Sequence, residues 1–314
     1  MEDMKTLLCG SIAYDSIMVF HGRFKDHILP DQVHILNVSF LVPSLRQEFG
    51  GVAGNIAYNL ALLGGAPLPM GTVGDDAEPY LARFDNLGID RSLVLHVPGT
   101  RTAQAFITTD LDDNQIVAFH PGAMSRSDEN RLPQDTVVGL ALVGPDGREG
   151  MLAHARTLSE RGIAFLFDPG QALPLFSGEE LLWFAQRASY LAVNDYEAKL
   201  FAAKTGADIC ASGAHLRALI ITRGAHGSQI QTAGRTIDIP PAPASAVIDP
   251  TGCGDAYRAG LLYGIAAGMD WETCGRLASV MGAIKVASNG AQRHTPTREQ
   301  IAEDFATAFH YRPW

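Results

Sequence analysis

VIDPTGCGDAYRAGLLYG, residues 247–264, is the stretch on which the reading of the fold turns. Val247 and Ile248 favour extended backbone, Asp249 and Pro250 stop it, and Gly252, Cys253 and Gly254 make a glycine-rich turn. Asp255 follows at once and opens a run that reads as a helix. Glycines permit positive φ and let another group approach the backbone closely. The first turn of a helix carries N–H groups without intrahelical acceptors and the positive end of the helix dipole. A phosphate therefore has a place here, held by the amides of Gly252, Cys253 and Gly254. Asp255 beside it can accept a proton, which suits phosphoryl transfer from a triphosphate to a hydroxyl. An aspartate at this position also serves simply as an N-cap or turn residue. The local sequence leaves both readings open.

Outward from that stretch, short apolar runs alternate with helical patterns. Strands are expected at Lys5–Gly10, Leu68–Val73, Val137–Val143, Ile163–Phe167, Tyr190–Val193, Leu216–Thr222, Ser228–Gln231 and Thr236–Ile239. Several are apolar throughout, as strands covered on both faces are. Helices are expected near Asn55–Leu63, Ala77–Leu87, Arg148–Arg161, Tyr196–Thr205, Asp255–Ala267, Trp271–Ala287 and Thr297–Phe309. The alternation implies βαβ units: an α/β fold with a mostly parallel sheet flanked by helices. Residues 13–49 and 93–120 break the pattern, reading as strands and turns without helices. AQAFITTDLDDNQIVAF, residues 103–119, reads as a hairpin around Leu111-Asp112-Asp113-Asn114. We therefore expect one domain over 1–314 with a small β lid inserted from segments about 13–49 and 93–120.

The 314 residues are 46% hydrophobic and carry a formal charge of −10. No basic patch stands out, which argues against a nucleic-acid partner. Cys9, Cys210, Cys253 and Cys274 lack metal or disulfide spacing. MEDMKTLLCG starts acidic with only a short apolar run, and no apolar stretch reaches membrane-spanning length. A soluble cytoplasmic protein is expected. GxxxxGK[ST], GxSxG and HExxH are absent from the sequence, and no GxGxxG follows a strand.

DPTGCGDAYRAGLL resembles the C-terminal signature of the ribokinase, or PfkB, carbohydrate kinases, with Cys253 where a small residue is common. FGGVAGNIAYNLALLGGAPLPMGTVGDD (49–76) resembles that family's N-terminal signature, VNDYEA (193–198) its N-x-x-E motif, and ITRGAHGS (221–228) its T-x-G-x-x-G nucleotide loop. The motifs stand in the family's order across nearly the whole chain. The resemblance implies a ribokinase-like three-layer core with a small β lid. DPTGCGDAYRAG, FDPGQ (167–171), FHPGAM (119–124) and NGAQRH (289–294) look most like the adenosine and nucleoside kinases within the family.

The resemblance implies roles for particular residues. Asp255 becomes the general base for a ribose 5′-hydroxyl, with Gly252, Cys253 and Gly254 as the anion hole. Arg258, one turn on, either reaches the transferred phosphate or pairs with a surface carboxylate. Asp15 and Asn55 resemble residues that bind sugar hydroxyls, and Gly50-Gly51 the hinge of the lid. Thr222, Gly224 and Gly227 resemble the loop along which ATP lies. Asn194 and Glu197 resemble residues that position Mg²⁺ largely through water. Asp249 and Thr251 resemble a loop for a monovalent cation such as K⁺, completed by backbone near Gly290 and Gln292. Phe106, Phe119 and Phe40 are candidates to stack on a base. The expected activity is ATP-dependent phosphorylation of a nucleoside, with adenosine the leading acceptor and a lid-mediated homodimer conceivable. A sugar or sugar-phosphate kinase of the same family is the alternative, and a non-catalytic sugar or nucleoside binder ranks third.

Overall fold

The computed structural model describes residues 4–28, 35, 37–112, 114–212 and 215–314. Residues 1–3, part of the expected segment 13–49, and Asp113 of the hairpin tip lie outside the described residues. The chain runs β1 (Thr6–Cys9), β2 (Ala13–Val19), β3 (Ser44–Gly50), α1 (Val52–Leu62), β4 (Pro67–Met70), β5 (Thr72–Val73), α2 (Glu78–Asn86) and β6 (Leu95–His96). It continues with β7 (Ala103–Thr109), β8 (Gln115–His120), β9 (Leu140–Val143), α3 (Arg148–Glu160), β10 (Phe165–Phe167), α4 (Gly178–Arg187), β11 (Tyr190–Asn194) and α5 (Asp195–Thr205). It ends with α6 (Ile209–Ser212), β12 (Ala218–Thr222), β13 (Ser228–Thr232), β14 (Arg235–Ile239), α7 (Cys253–Ala266), α8 (Trp271–Val286) and α9 (Arg298–Phe309).

An eight-stranded sheet in the order β14-β13-β12-β11-β10-β9-β1-β4 forms the centre. It is parallel from β4 to β12, and β13 and β14 close one edge antiparallel. Its side chains alternate between two cores. Leu8, Leu142, Leu166, Ala192 and Ile220 point to the side of α1 and α7. Leu7, Val143, Phe165, Phe167, Leu191 and Leu219 point to the side of α3 and α4. Both faces are dry, which is why these strands read as unbroken apolar runs. A second sheet, ordered β3-β2-β7-β8, stands apart from the first.

Several boundaries depart from expectation. The single strand expected over Leu68–Val73 splits into β4 and β5, which belong to different sheets. Gly71 marks the break: its carbonyl accepts from the Leu95 amide at 3.0 Å. Leu95–His96 therefore pairs with Thr72–Val73, and the start of segment 93–120 takes no part in the small sheet. β9 begins at Leu140, not Val137, which is 81% exposed and precedes the first register pair. α1 begins at Val52, three residues before the expected Asn55, because Gly51 with φ 84° turns the chain directly into it.

Candidate active site

The C-terminal ends of parallel strands are where open α/β sheets bind ligands. Here they present Asp168 after β10, Asn194 at the end of β11 and Thr222 at the end of β12. The N-terminus of α7 comes down onto this edge. Gly252, with φ 78°, precedes α7. The Cys253 amide donates to the Pro250 carbonyl at 3.1 Å. Cys253 N–H, expected to serve the anion hole, is thus engaged by the turn in this structure. Among the described residues the amides of Gly252, Gly254 and Asp255 have no acceptor, so those N–H groups are available to an anion.

Asp255 lies among them, half-buried. Its Oδ2 accepts from Asn55 Nδ2 at 2.7 Å, a contact between residues 200 positions apart in the chain. Burial pushes its carboxyl up to about 7; Asp168 and Asp15 push the same way, while Asn55 and Arg258 oppose. A base whose proton affinity matches neutral solution is well suited to take a proton there.

Asn55 is 5% exposed and has little freedom. Its Oδ1 accepts from Gln292 Nε2 at 3.0 Å, so its amide nitrogen faces Asp255. Gln292 Nε2 also contacts the Tyr80 hydroxyl at 2.8 Å, and Tyr80 donates to the Gly50 carbonyl at 2.6 Å. Arg83 holds Gln292 from behind, through Oε1 at 3.0 Å and the backbone carbonyl at 2.6 Å. The Asn55 amide, expected to serve sugar hydroxyls, thus also belongs to a buried chain from Arg83 to Asp255. Gly50 and Gly51 are wedged rather than free. A Cβ on Gly50 would meet the Asp15 carboxylate at 2.6 Å, and one on Gly51 the Ser11 carbonyl and Ala13 amide at 2.6 Å.

Arg258 is not a surface residue. It is 5% exposed, and its Nε and NH2 reach Asp168 at 3.0 and 3.4 Å. The surface-carboxylate reading is therefore replaced by a buried ion pair. Its NH1 lies 4.0 Å from where a Cβ on Gly254 would stand, so one edge of the guanidinium still faces the turn.

Asn194 and Glu197 form a capping box. Asn194 Oδ1 accepts the Glu197 amide at 2.7 Å, and Glu197 Oε2 accepts the Asn194 amide at 2.8 Å. One Glu197 carboxylate oxygen remains, raised in proton affinity mainly by burial. No group of three or more His, Cys, Asp or Glu able to hold a metal occurs among the described residues. Thr222 contacts the Val193 carbonyl at 3.4 Å, while Gly224 (φ 54°) and Gly227 (φ 77°) turn the chain into β13.

Asp15 sits on β2 opposite Glu48 of β3 and Ala105 of β7. Burial raises its carboxyl to about 6, with Glu48 and Asp249 adding to the rise. Cross-strand partners share a face. Asp15, Glu48, Ala105 and Phe119 therefore share one face of the small sheet, followed by Arg46, Ile17, Ile107 and Val117. That face looks to the core domain, since Glu48 pairs with Arg293 at 2.7 Å. Phe106 pairs with Ser16 and Ala118 on the opposite, outward face and is 41% exposed. Phe106 and Phe119, both expected against a base, thus lie on opposite faces of the small sheet, with Phe119 on the inward one. Phe40 packs with Phe20 and Phe24, ring centres 4.9 and 5.0 Å away, so it too is spoken for.

The sequence missed the side chains of Tyr80 and Gln292, and it missed Asp168. Asp168 and Gln292 lie within FDPGQ and NGAQRH, noted only as fragments. Tyr80 gave no signal beyond helix periodicity. No helix among the described residues is long and apolar enough to cross a membrane.

The model of the pfkB family of carbohydrate kinases matches residues 12–298. A nucleoside kinase of Methanocaldococcus jannaschii is 32% identical over 269 residues, 85% of this chain and 88% of the relative. The solved nucleoside kinase of Burkholderia thailandensis in complex with inosine is 56% identical with a TM-score of 0.87, covering 98% of this chain and 99% of that one. The same enzyme in complex with ADP-inosine gives 58% identity and a TM-score of 0.87 over 98% of this chain and 97% of that one.

Proposed function

The chain belongs to the pfkB family of carbohydrate kinases, phosphotransferases with an alcohol group as acceptor, and from that premise we propose that it is an ATP-dependent nucleoside kinase. The observation that carries the reading is the meeting of Asp255 with the acceptor-free amides of Gly252, Gly254 and Asp255 at the strand ends. Similarity to nucleoside kinases, one of them solved with inosine, supports the acceptor class.

In the reaction, Asp255 takes the proton of a ribose 5′-hydroxyl as it attacks the terminal phosphoryl of ATP. The free amides receive the charge that develops on the transferred group. Asp15 and the remaining hydrogen of Asn55 Nδ2 bind ribose hydroxyls, and Ile17, Ile107, Val117 and Phe119 frame the base. Thr222, Gly224 and Gly227 border the ATP. Glu197 would hold a water of a Mg²⁺ ion, which when bound would supply charge neutralisation to the phosphates. The outward face with Phe106, Leu45 and Ile116 is where a second copy of the chain would pair.

The test is a panel of acceptors with ATP: adenosine, inosine, guanosine, cytidine, ribose and fructose 6-phosphate. Adenosine or inosine is expected to be turned over most efficiently. Phosphorylation of ribose or fructose 6-phosphate with no nucleoside turnover would replace this reading with the sugar-kinase one.

A further inference from the structure

Lys285, on the last turn of α8, is fully buried. A buried ammonium is costly unless its hydrogens find acceptors. Here Nζ donates to the Asp249 carbonyl at 2.8 Å and to the Ser288 carbonyl at 3.0 Å. Its Cε runs 3.7 Å from where a Cβ on Gly252 would stand, directly beneath the phosphate-binding turn.

The surroundings make a cation site. The C-terminal end of α8 contributes the negative end of its dipole. Asp249 stands beside it with both carboxylate oxygens occupied: Oδ1 accepts the Thr251 amide and Oδ2 the Gly290 amide, each at 2.8 Å. The amides of Ile248 and Asp249 donate to the Val286 carbonyl at 2.8 and 3.1 Å. Two loops, 248–252 and 286–290, are thereby closed on each other with the ammonium between them. The charged group facing Nζ is Asp249; the thiol of Cys253 and, from the other side, His294 are the remaining titratable groups within its reach.

These residues do not fit a bound potassium ion. The Lys285 ammonium already takes the Asp249 and Ser288 carbonyls that would ligate an ion, and a second positive charge would lie against Nζ. We propose that Lys285 is the built-in cation of this loop, a positioning residue that sets the turn carrying Asp255 without any monovalent ion. The proposal rests on the kinase reading for its kinetic arm alone.

The experiment compares native protein and Lys285→Met in potassium chloride, ammonium chloride and tetramethylammonium chloride at equal ionic strength. Melting temperature is read without substrate, and kcat with ATP and the best acceptor of the panel. Native protein is expected to show the same melting temperature and the same kcat in all three salts. Lys285→Met is expected to melt lower in tetramethylammonium and to lose kcat by about 10²-fold, the cost of a displaced catalytic group. Potassium or ammonium is expected to restore part of both. Potassium raising the native melting temperature or rate overturns the proposal. So does a Lys285→Met protein that behaves as native, or one that is impaired but indifferent to both ions. If Lys285→Met does not fold, the native protein's response to potassium decides alone. Failure of every acceptor in the panel would sink the kinase reading while leaving the melting measurements interpretable.

Discussion

The turn at 249–258 and the small sheet β3-β2-β7-β8 face each other across the same cleft, yet they are built in opposite ways. The turn is held by buried charges and amides from distant parts of the chain: Asn55 on Asp255, Asp168 on Arg258, Lys285 beneath Gly252. The outer strand of the small sheet is exposed along its length, and Ile116, Val117 and Phe119 are 44%, 53% and 50% exposed. Reacting groups must be placed to fractions of an ångström, and buried polar networks achieve this because each member has one satisfactory arrangement. A surface that only has to cover a base needs area, not angles. On the nucleoside-kinase reading proposed above, the difference would separate the part that performs chemistry from the part that chooses what it is performed on.

The sharpest way to break that contrast is Asp255→Asn. We expect kcat to fall by about 10³-fold with the acceptor KM nearly unchanged, since a positioned base contributes on that scale. Near-native turnover in steady-state assays would remove the turn from the chemistry. Next, Arg258→Met leaves the Asp168 carboxylate buried without a partner. Urea unfolding should show a loss of about 3 kcal/mol or more, as for other broken buried pairs. Gln292→Leu frees the Asn55 amide to rotate. We expect kcat to drop about tenfold through misplacement of Asp255, with KM little changed. In native protein kcat/KM should rise with pH and level off above about 7, because Asp255 must be deprotonated to act. In Gln292→Leu that limb should move to higher pH, because the Asn55 hydrogen bond is the larger of the two influences, with Arg258, that hold the carboxyl down. On the other side of the cleft, Phe119→Ala should raise the nucleoside KM about fivefold, the worth of one aromatic contact. Phe106→Ala should leave it unchanged, and equal effects would mean that the inward and outward faces are wrongly assigned.

A smaller effect follows from the raised proton affinity of Asp255. The unfolded chain releases this proton near the ordinary carboxylate range, the folded protein only near 7. Between those values the folded state binds more protons, so its stability falls as pH rises through the window. Asp255→Asn does not titrate. Its melting temperature relative to native protein should therefore climb from pH 4 to pH 7 and then stay level.

What the sequence made legible was whatever is signalled locally. The glycine turn with Asp255, the Asn194–Glu197 spacing and the apolar strands are each written within a few residues. The two phenylalanines show the limit. Phe106 and Phe119 lie on opposite arms of one hairpin, and a shift of one residue in pairing moves every side chain to the other face. Only the register, with Phe106 against Ala118, settles which one points inward. Tyr80, Gln292 and Lys285 were invisible for another reason. Their meaning comes from partners that folding brings from elsewhere in the chain. An arginine one turn into a helix likewise reads as exposed until Asp168 arrives from another strand.

The Tyr80 hydroxyl stands between a joint in the chain and the chain of amides that ends at Asp255. It gives its hydrogen to the Gly50 carbonyl and meets Gln292 on its other side. Rotating the peptide after residue 50 takes away that acceptor, and the phenol must then turn, weakening its hold on Gln292. A change in that peptide would therefore be felt at Gln292 and, through Asn55, at Asp255.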